Sequence, residues 1–174
     1  MIKNIIITET NAYLTKEEIS SFNKNQFKPK IHAMIQAHRT SKRFPDKIYT
    51  SFKGAPILYH TIDRTKQAGL LDDVIVISPH ELDVPDGIKN MVYPQMESDC
   101  ISGYYLAAKE LGSDYIVRIT SDCPVLEPEL IDLVVFTCIE YNADYASNVF
   151  RRTFADGLDV ECISWPTLKH LFGT

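Results

Sequence analysis

A cluster of cationic side chains stands between Ala37 and Lys47, directly after an apolar segment. The eleven residues of this basic loop contain four permanent cations, together with His38, Thr40 and Ser41, although the whole chain has a formal net charge of −5. Arginine and lysine bind phosphate oxygens and stabilise the charge that develops when a phosphoanhydride bond breaks. The loop therefore favours a site for a phosphorylated ligand. A solvated surface loop has the same charge pattern, and the glycines of a P-loop or a dinucleotide fingerprint are absent from this segment.

Asp122 is a single carboxylate at the end of a second apolar segment, Tyr115 to Thr120, and Pro124 follows it. Mg²⁺ prefers hard oxygen ligands and commonly joins one or two carboxylates to substrate phosphates. An aspartate in a proline-containing turn is also ordinary turn chemistry. Because nucleotidyl transfer needs a metal-binding carboxylate beside a cation-rich loop, the two features together predict Mg²⁺ at Asp122.

The elements that must position these groups follow a β/α pattern from residue 31 onward. Alternating apolar strands and amphipathic helices are typical of a largely parallel sheet with helices on its faces. Ligands of such sheets lie at the carboxyl ends of the strands, so the loops after Gln36, Ser78 and Thr120 are predicted to form the site. We predict strands over 31–36, 74–78, 91–93, 115–120, 145–148 and 158–163, and helices over 56–68, over 99–111, from 128 and from 164–166.

Residues 1–30 differ from this pattern. They contain an apolar run, Ile5 to Ile7, and a capping box from Thr15 to Glu18 that predicts a short polar helix. We therefore predict an N-terminal extension over 1–30 and a nucleotide-binding domain over 31–174. One hypothesis is that the strand and helix of the extension cover an edge of the sheet.

Composition narrows the class of protein. A length of 174 residues fits one main domain, and a pI near 5.5 argues against a nucleic-acid-binding protein, which needs a basic surface. The four cysteines are far apart and do not have zinc-ligand spacing, so we interpret them as reduced thiols. The sequence shows neither a signal peptide nor an apolar run of about 18 residues, so we predict a cytoplasmic protein without a membrane partner.

Four segments match the motifs of one known family in order and spacing. Residues 35–47 match IQAR-x-x-S-x-R-L-P-x-K through Ile35 to Ala37, Ser41, Arg43, Pro45 and Lys47. Residues 99–110 match D-x-x-x-x-Y-Y-x-A-A-K-E, residues 117–124 match VRITGDCP, and residues 144–161 match DYVSN…RT…DGLDVE. From about residue 31 to its C-terminus, the chain thus resembles the cytidylyltransferases of the spore-coat polysaccharide type, relatives of the CMP-KDO and acylneuraminate cytidylyltransferases.

The resemblance implies an α/β fold, a Rossmann-like nucleotidyltransferase (GT-A-like) domain with three α/β/α layers and a mostly parallel sheet. It also implies an Mg²⁺-dependent enzyme that transfers CMP from CTP to a small-molecule acceptor, a sugar acid or a phosphorylated compound, and releases pyrophosphate. Surface-glycan biosynthesis is the implied process, and a homodimer is an assembly that the resemblance allows.

The resemblance also assigns roles by position. Arg43 and Lys47 would be catalytic, Asp122 would hold the metal, and Asp156, Asp159 and Glu161 would face the acceptor or a dimer partner. The nucleotide would contact Gln36, Ala37, His38, Arg39, Ser41, Arg43, Lys47 and Asp99. Ordinary structural roles compete with these assignments. Arg43 and Lys47 are also typical surface cations, and the alternation of Asp159 and Glu161 with apolar residues also fits a half-exposed strand. For Tyr104 and Tyr105, packing on the helix is favoured over base stacking.

Three departures from the family pattern remove parts of the implied site. His38 stands in place of the first loop arginine, with Arg39 displaced by one residue, and a mostly neutral imidazole does not form a bidentate phosphate contact. Gly103 stands in place of a helix arginine, and Ser121 replaces a turn glycine. A C-terminal segment that carries a second metal-binding aspartate in the family is also expected to be missing.

Three functions are consistent with these observations. A cytidylyltransferase agrees with the ordered motifs, whereas a catalytically weak or inactive relative that binds a nucleotide or a partner agrees with the departures. A glycosyltransferase of similar fold is disfavoured, because such enzymes usually carry a DxD pair, whereas Thr120-Ser121-Asp122 offers one carboxylate.

Overall fold

Strands and helices alternate along most of the chain in this computed structural model, which describes residues 4–6, 14–23, 28–41, 44–150 and 153–173. The strands are β1 (Asn4–Ile6), β2 (Ile31–Gln36), β3 (Ser51–Phe52), β4 (Ala55–Pro56), β5 (Asp73–Ser78), β6 (Lys89–Val92), β7 (Tyr115–Thr120), β8 (Tyr145–Ser147) and β9 (Glu161–Ser164). The helices are α1 (Lys16–Asn23), α2 (Ile57–Lys66), α3 (Cys100–Leu111), α4 (Pro128–Glu140) and α5 (Trp165–Phe172), with 3-10 helices at Lys47–Tyr49 and Pro94–Glu97.

The main sheet has the strand order β1-β8-β9-β7-β2-β5-β6. The four strands β7, β2, β5 and β6 are parallel, β9 runs antiparallel to both of its neighbours, and β1 is parallel to β8. Strands β3 and β4 form a separate hairpin, whose turn places Lys53 and Gly54 at φ values of 47° and 89°. The left-handed backbone at this turn explains the glycine.

Two apolar layers cover the faces of the sheet. Alternate residues of β2 point to opposite faces, so Ala33 and Ile35 pack with α2 and α4, while Met34 packs with α3 and α5. All three side chains are fully buried, and burial of a large aliphatic side chain contributes roughly 1.5–3 kcal/mol. The predicted three-layer α/β fold with a mostly parallel sheet is therefore confirmed.

The ends of the helices follow the capping signals in the sequence. Asp99 caps α3 by accepting a hydrogen bond from the Ile101 amide at 3.0 Å, and Gly112 ends the helix with φ 67°. Thr15 and Glu18 form the expected capping box of α1, with hydrogen bonds of 2.7 Å and 3.2 Å between each backbone amide and the other side chain.

The described parts of the N-terminal segment contact the main sheet and its helices. β1 pairs with β8 from Asn4–Tyr145 to Ile6–Ser147, and Phe22 of α1 lies edge-on to Phe136 of α4 with the ring centroids 6.4 Å apart. The division of the chain at residue 30 stays a prediction.

The strand predicted over 158–163 is shorter and begins later, at Glu161. The Asn148 side chain donates to the Leu158 carbonyl at 2.7 Å and accepts from the Val160 amide at 2.9 Å. These side-chain hydrogen bonds replace the strand pairing before Glu161, because they use backbone groups that a ladder needs.

The helices of the described ranges are all too short or too polar to cross a lipid bilayer.

Candidate functional site

Two adjoining pockets open at the carboxyl end of β2. The pocket toward β7, here the β7 pocket, has a volume of about 420 Å³, and the one toward β5, the β5 pocket, has about 260 Å³. The β7 pocket is lined by Gln36, His38, Thr40, Ser41, Lys47, Ile48, Arg118, Thr120, Ser121 and Asp122. The β5 pocket is lined by Gln36, Ala37, His38, Thr40, Pro79, Met96, Glu97 and Cys100. The shared residues belong to β2 and the basic loop, so one ligand can reach from one pocket into the other.

Lys47 and Asp122 form an ion pair in the wall of the β7 pocket. Lys47 is the last residue of the basic loop and the first of a 3-10 helix, and Asp122 lies in the turn after β7. Burial raises the pKa of Asp122, but the hydrogen bond and charge of Lys47 lower it further, so its pKa lies below the ordinary value of 3.8. Asp122 is therefore an anion at neutral pH. The structure brings a predicted phosphate-binding cation and the predicted metal ligand into direct contact.

A divalent cation at Asp122 would need ligands from the substrate. Within the described ranges, the side chains of His, Cys, Asp and Glu form no group of three or more that would hold a metal ion. One carboxylate together with phosphate oxygens is nevertheless a common arrangement for Mg²⁺. Asp122 fits that arrangement, with the nucleotide as the source of the other oxygens.

The residues of the basic loop differ in their placement. His38 and Thr40 line both pockets and Ser41 lines the β7 pocket. Arg39 lines neither pocket: its Nε donates to Asp46 at 2.5 Å, and its guanidinium lies 5.7 Å from the centre of the Tyr49 ring. The Arg39 side chain is therefore directed toward Asp46 and Tyr49, outside the pockets. The predicted catalytic residue Arg43 lies outside the described residues.

Arg118 lines the β7 pocket and forms an ion pair with Glu161 of the neighbouring strand β9. Glu161 also accepts a hydrogen bond of 2.6 Å from the Tyr145 hydroxyl. Burial raises the pKa of Tyr145, and Glu161 raises it further, to about 12, so the hydroxyl remains a donor. Glu161, predicted to face the acceptor or a dimer partner, thus lies between two protein side chains and pairs with the arginine that reaches the pocket.

Gln36 connects the pockets to α3. Its amide oxygen accepts from the buried Tyr104 hydroxyl at 3.1 Å, and its amide nitrogen donates to the Cys100 thiol at 3.0 Å. Tyr104 is 5% exposed, and Tyr105 stacks with Trp165 and Phe172 at centroid distances of 5.2 Å and 3.9 Å. Both tyrosines pack against protein side chains, as the favoured interpretation of the sequence expects.

Three other predicted residues line neither pocket. Asp99 caps α3, and its neighbour Cys100 reaches the β5 pocket instead. Asp156 and Asp159 precede β9, between residues 153 and 161. Their predicted contacts with an acceptor or a dimer partner stay predictions.

Arg118 was missed as a site residue, although the sequence contains a signal for it. Three apolar residues, Ile116, Val117 and Ile119, surround it on a strand of the central sheet. A charged side chain at such a position needs a partner, because burial of an unpaired charge is costly. An isolated arginine in an apolar strand is therefore a candidate for a site.

Met96 occupies the space beside Gly103 in the wall of the β5 pocket. A Cβ atom on Gly103 would overlap the Met96 side chain at its Sδ and Cγ atoms. Glycine within a helix costs roughly 0.5–1 kcal/mol relative to alanine, and here it permits this close contact. The Met96 thioether thus fills the space next to position 103, where the family pattern has an arginine and this chain has Gly103.

The fold and the pockets define a nucleotidyltransferase-like domain, and comparison with known proteins gives its family. The sequence profile described as Cytidylyltransferase matches residues 32–157. The chain belongs to the cytidylyltransferase family, so the predicted relationship is confirmed. The spore-coat type within this family stays a prediction.

Individual relatives agree with this family. The chain is 31% identical to an uncharacterized protein of Methanocaldococcus jannaschii over 80% of the chain and 59% of that protein. It is 29% identical to a 3-deoxy-manno-octulosonate cytidylyltransferase of Chloroherpeton thalassium over 71% of the chain and 52% of that protein. A solved cytidylyltransferase structure from Leptospira borgpetersenii superposes with a TM-score of 0.71 and 28% identity, over 83% of this chain and 64% of that one. The chain thus spans little more than half the length of these two curated relatives.

Proposed function

We propose that this protein transfers CMP from CTP to an oxygen of a sugar acid and releases pyrophosphate. The observation that carries the proposal is the contact between Lys47 and Asp122 in the β7 pocket, beside the basic loop. A cation for phosphate oxygens and a carboxylate for a metal ion are the two groups that nucleotidyl transfer needs at the reacting phosphorus.

The two pockets suit different parts of the nucleotide. The β5 pocket combines apolar groups from Ala37, Pro79 and Met96 with the polar groups of Gln36 and Glu97, which suits a flat base with polar edges. Glu97 can accept a hydrogen bond from the exocyclic amine of cytosine. The triphosphate would then extend past His38 and Thr40, which line both pockets, toward Lys47.

The transfer is an in-line displacement at the α-phosphorus. The acceptor oxygen forms a bond to this phosphorus, the bond from the phosphorus to the bridging oxygen of the β-phosphate breaks, and pyrophosphate leaves with the bonding electrons. The acceptor hydroxyl loses its proton to solvent. Lys47 stabilises the charge that develops on the phosphate oxygens, and Ser41 provides a hydroxyl donor in the same pocket. A divalent cation bound by Asp122 and the phosphates would supply further charge neutralisation.

The choice of a sugar acid is supported by the relative from Chloroherpeton thalassium, whose name specifies 3-deoxy-manno-octulosonate. The positively charged guanidinium of Arg118 in the β7 pocket agrees with an anionic acceptor. Participation in surface-glycan biosynthesis is part of the same proposal.

A nucleotide-binding protein with weak or no activity is the second candidate. The placement of Arg39 outside both pockets favours it, because His38 is then the basic-loop side chain that replaces the expected arginine. Without the cation at position 38, the transition state loses more stabilisation than the bound nucleotide does, because the nucleotide keeps its other contacts.

Calorimetric titration with CTP and with ATP, each with and without Mg²⁺, tests the proposal. The wild type should bind CTP in preference to ATP, and Asp122→Ala should lose the Mg²⁺-dependent part of the affinity. Glu127→Ala, which removes an exposed carboxylate in the loop before α4, is the control and should bind like the wild type. Pyrophosphate release with 3-deoxy-manno-octulosonate then separates an enzyme from a binding protein. Failure of CTP to bind the wild type would overturn the proposal.

A further inference from the structure

We propose that Arg118 binds the carboxylate of the acceptor in the β7 pocket and that Glu161 is its positioning residue. This inference rests on the proposed function, since it names the group of the acceptor that the pocket recognises. It assigns recognition of the acid to a strand residue and leaves the phosphates to the basic loop.

The position of Arg118 along β7 places it at the inner end of the pocket. Thr120 is the last residue of β7 and pairs with Gln36, whereas Arg118 pairs with Met34, two residues further from the strand ends. Two strand residues span about 6.6 Å. The backbone of Arg118 therefore lies deeper in the sheet than the backbones of Lys47 and Asp122, which follow the strand ends, and its side chain reaches the pocket from that position.

The partners of Arg118 leave part of its hydrogen-bonding capacity for a ligand. A guanidinium has five N–H donors; Nη1 is paired with Glu161, and the guanidinium also donates to the Tyr104 hydroxyl, so the remaining donors are those that a ligand can use. The Arg118 side chain remains 37% exposed and lines the pocket, whereas that of Glu161 is 17% exposed. The planar fork of arginine matches a carboxylate in a bidentate contact.

The support behind Arg118 is more elaborate than stability requires. Glu161 accepts from Tyr145 at 2.6 Å as well as from Arg118, and the three residues stand on the adjacent strands β7, β9 and β8. A buried ion pair is generally no more stabilising than apolar side chains of similar size. Such a pair in a pocket wall instead fixes the orientation of a charged group, which is what selective binding needs.

The charges in the β7 pocket separate the two anionic substrates. Lys47, at the end of the basic loop that follows β2, pairs with Asp122, whereas Arg118 pairs with Glu161 of β9, which lies on the other side of β7 from β2. Transfer brings an acid and a triphosphate together, and like charges a few ångströms apart repel more strongly in a protein than in water. Separate cations for the two anions reduce this repulsion.

The experiment compares 3-deoxy-manno-octulosonate with its uncharged methyl ester, each titrated by calorimetry with and without CTP and Mg²⁺. The acid should bind the wild type at least tenfold more tightly than the ester. Arg118→Met should remove this preference, and Arg118→Lys should retain part of it because it keeps the charge without the fork. All three proteins should have the same dissociation constant for CTP within about twofold, since the inference places no phosphate on Arg118.

Arg64→Met provides the matched control. Arg64 on α2 is 33% exposed in its side chain, donates from Nε to the Leu126 carbonyl at 2.7 Å, and lines neither pocket. This variant should keep the preference for the acid. Glu161→Gln should weaken binding of the acid without changing binding of CTP. In the background of Arg118→Met, Glu161→Gln should have no further effect on acid binding, because Glu161 acts through Arg118. A purely structural role of Glu161 does not predict this non-additivity.

The outcomes distinguish this inference from the proposed function. If CTP binds and the acid binds Arg118→Met as tightly as the wild type, or does not bind the wild type, the assignment of Arg118 is wrong and the nucleotide site stands. If a sugar 1-phosphate shows the Arg118-dependent affinity and the acid does not, the carboxylate assignment is wrong. If CTP does not bind but the acid still requires Arg118, the proposed transfer fails and the anion site stands.

Discussion

The two ends of the parallel strands satisfy their charged side chains in different ways. At the amino ends, carboxylates mainly accept hydrogen bonds from backbone amides: Asp72 from Ile31, Asp114 from Lys30, and Asp132 from both Gly69 and Leu70, at 2.8–2.9 Å, although Asp72 also pairs with Lys28. At the carboxyl ends, the charged groups pair with other side chains, as in Lys47–Asp122 and Arg118–Glu161.

This difference separates carboxylates that hold the backbone in place from charged side chains that can exchange one partner for another. A backbone amide has a fixed position, so the carboxylates at the amino ends lock the loops that begin each strand. A side chain can rotate toward a ligand, so Lys47 can move from Asp122 to a phosphate without any change in the fold. Arg118 and Glu161 are intermediate, because the Tyr145 hydroxyl and two paired strands restrict their motion.

Loss of Asp132 should give the largest change in stability. Asp132 is 4% exposed, and Asp132→Ala removes the side chain that accepts hydrogen bonds from the Gly69 and Leu70 amides. Leu70 is fully buried, whereas Gly69 is exposed to water, so at about 1–3 kcal/mol for a buried group that loses its partner the free energy of unfolding should fall by about 2–3 kcal/mol in urea titrations. Asp63→Ala on the surface of α2 should change it by less than about 0.5 kcal/mol. A loss below about 1 kcal/mol for Asp132→Ala would contradict the locking role.

Glu161→Gln should give the second largest change. It leaves the partly buried Arg118 without its counter-ion, but the 37% exposure of this arginine lets water replace part of the interaction. We expect a loss of about 1–2 kcal/mol in the free energy of unfolding, less than the several kcal/mol typical of a fully buried pair. Tyr145→Phe removes the other partner of Glu161 and should cost about 1 kcal/mol. Equal stability of Glu161→Gln and the wild type would show that this pair is as exchangeable as Lys47–Asp122.

Asp122→Asn should change stability by less than about 1 kcal/mol at pH 7, because its pair with Lys47 is about one-third exposed on both sides. The folded chain holds the pKa of Asp122 below 3.8, so this contribution is full above about pH 4 and is lost as the pH falls through the folded pKa. The melting temperatures of the wild type and of Asp122→Asn, measured from pH 7 to pH 3, should therefore converge at the acid end. If the difference between the two melting temperatures grows as the pH falls, another group controls the acid dependence of stability.

His32 at the amino ends should give the smallest effect, seen in the pH dependence. The His32 Nδ1 atom forms a hydrogen bond of 2.7 Å with the Ser113 hydroxyl. Burial lowers the pKa of His32 below 6.5, although the nearby carboxylates of Asp72, Asp73 and Asp114 act to raise it. The stability that the neutral ring provides is full above pH 6.5 and is lost as the pH falls through the lowered folded pKa. When the pH is lowered from 7 to 5, the melting temperature of the wild type should fall slightly more than that of His32→Gln. If the melting temperatures of the two proteins change with pH in parallel, the buried neutral state of His32 does not contribute to stability.

The sequence was most informative where local patterns and the fold agree. Strands β2 and β7 have their predicted bounds, because each is an apolar run that both faces of the sheet bury. The start of β9 was predicted too early, since the Asn148 side chain takes the backbone groups of Leu158 and Val160. No local pattern indicates such a long-range contact.

The sequence indicated which types of residue form the candidate site, but it gave less information about which side chains contact each other there. The basic loop and Asp122 were found from charge and position, and the structure brings Lys47 and Asp122 together. Arg39 was predicted to contact the nucleotide together with Lys47, because the return of its guanidinium to Asp46 depends on the path of the loop, which the sequence does not specify. Arg118 was found only when the strand neighbours were known, since its partner Glu161 is far away along the chain.

The contact between Met96 and Gly103 also couples these two positions in evolution. A side chain at position 103 would overlap Met96 in its present position, so a substitution there requires the Met96 side chain to rotate away or to be replaced. A smaller residue at position 96 would open the space that a long side chain at position 103 needs, and by itself it would leave the charge of the site unchanged. The effect of a cation at position 103 therefore depends on which residue stands at position 96.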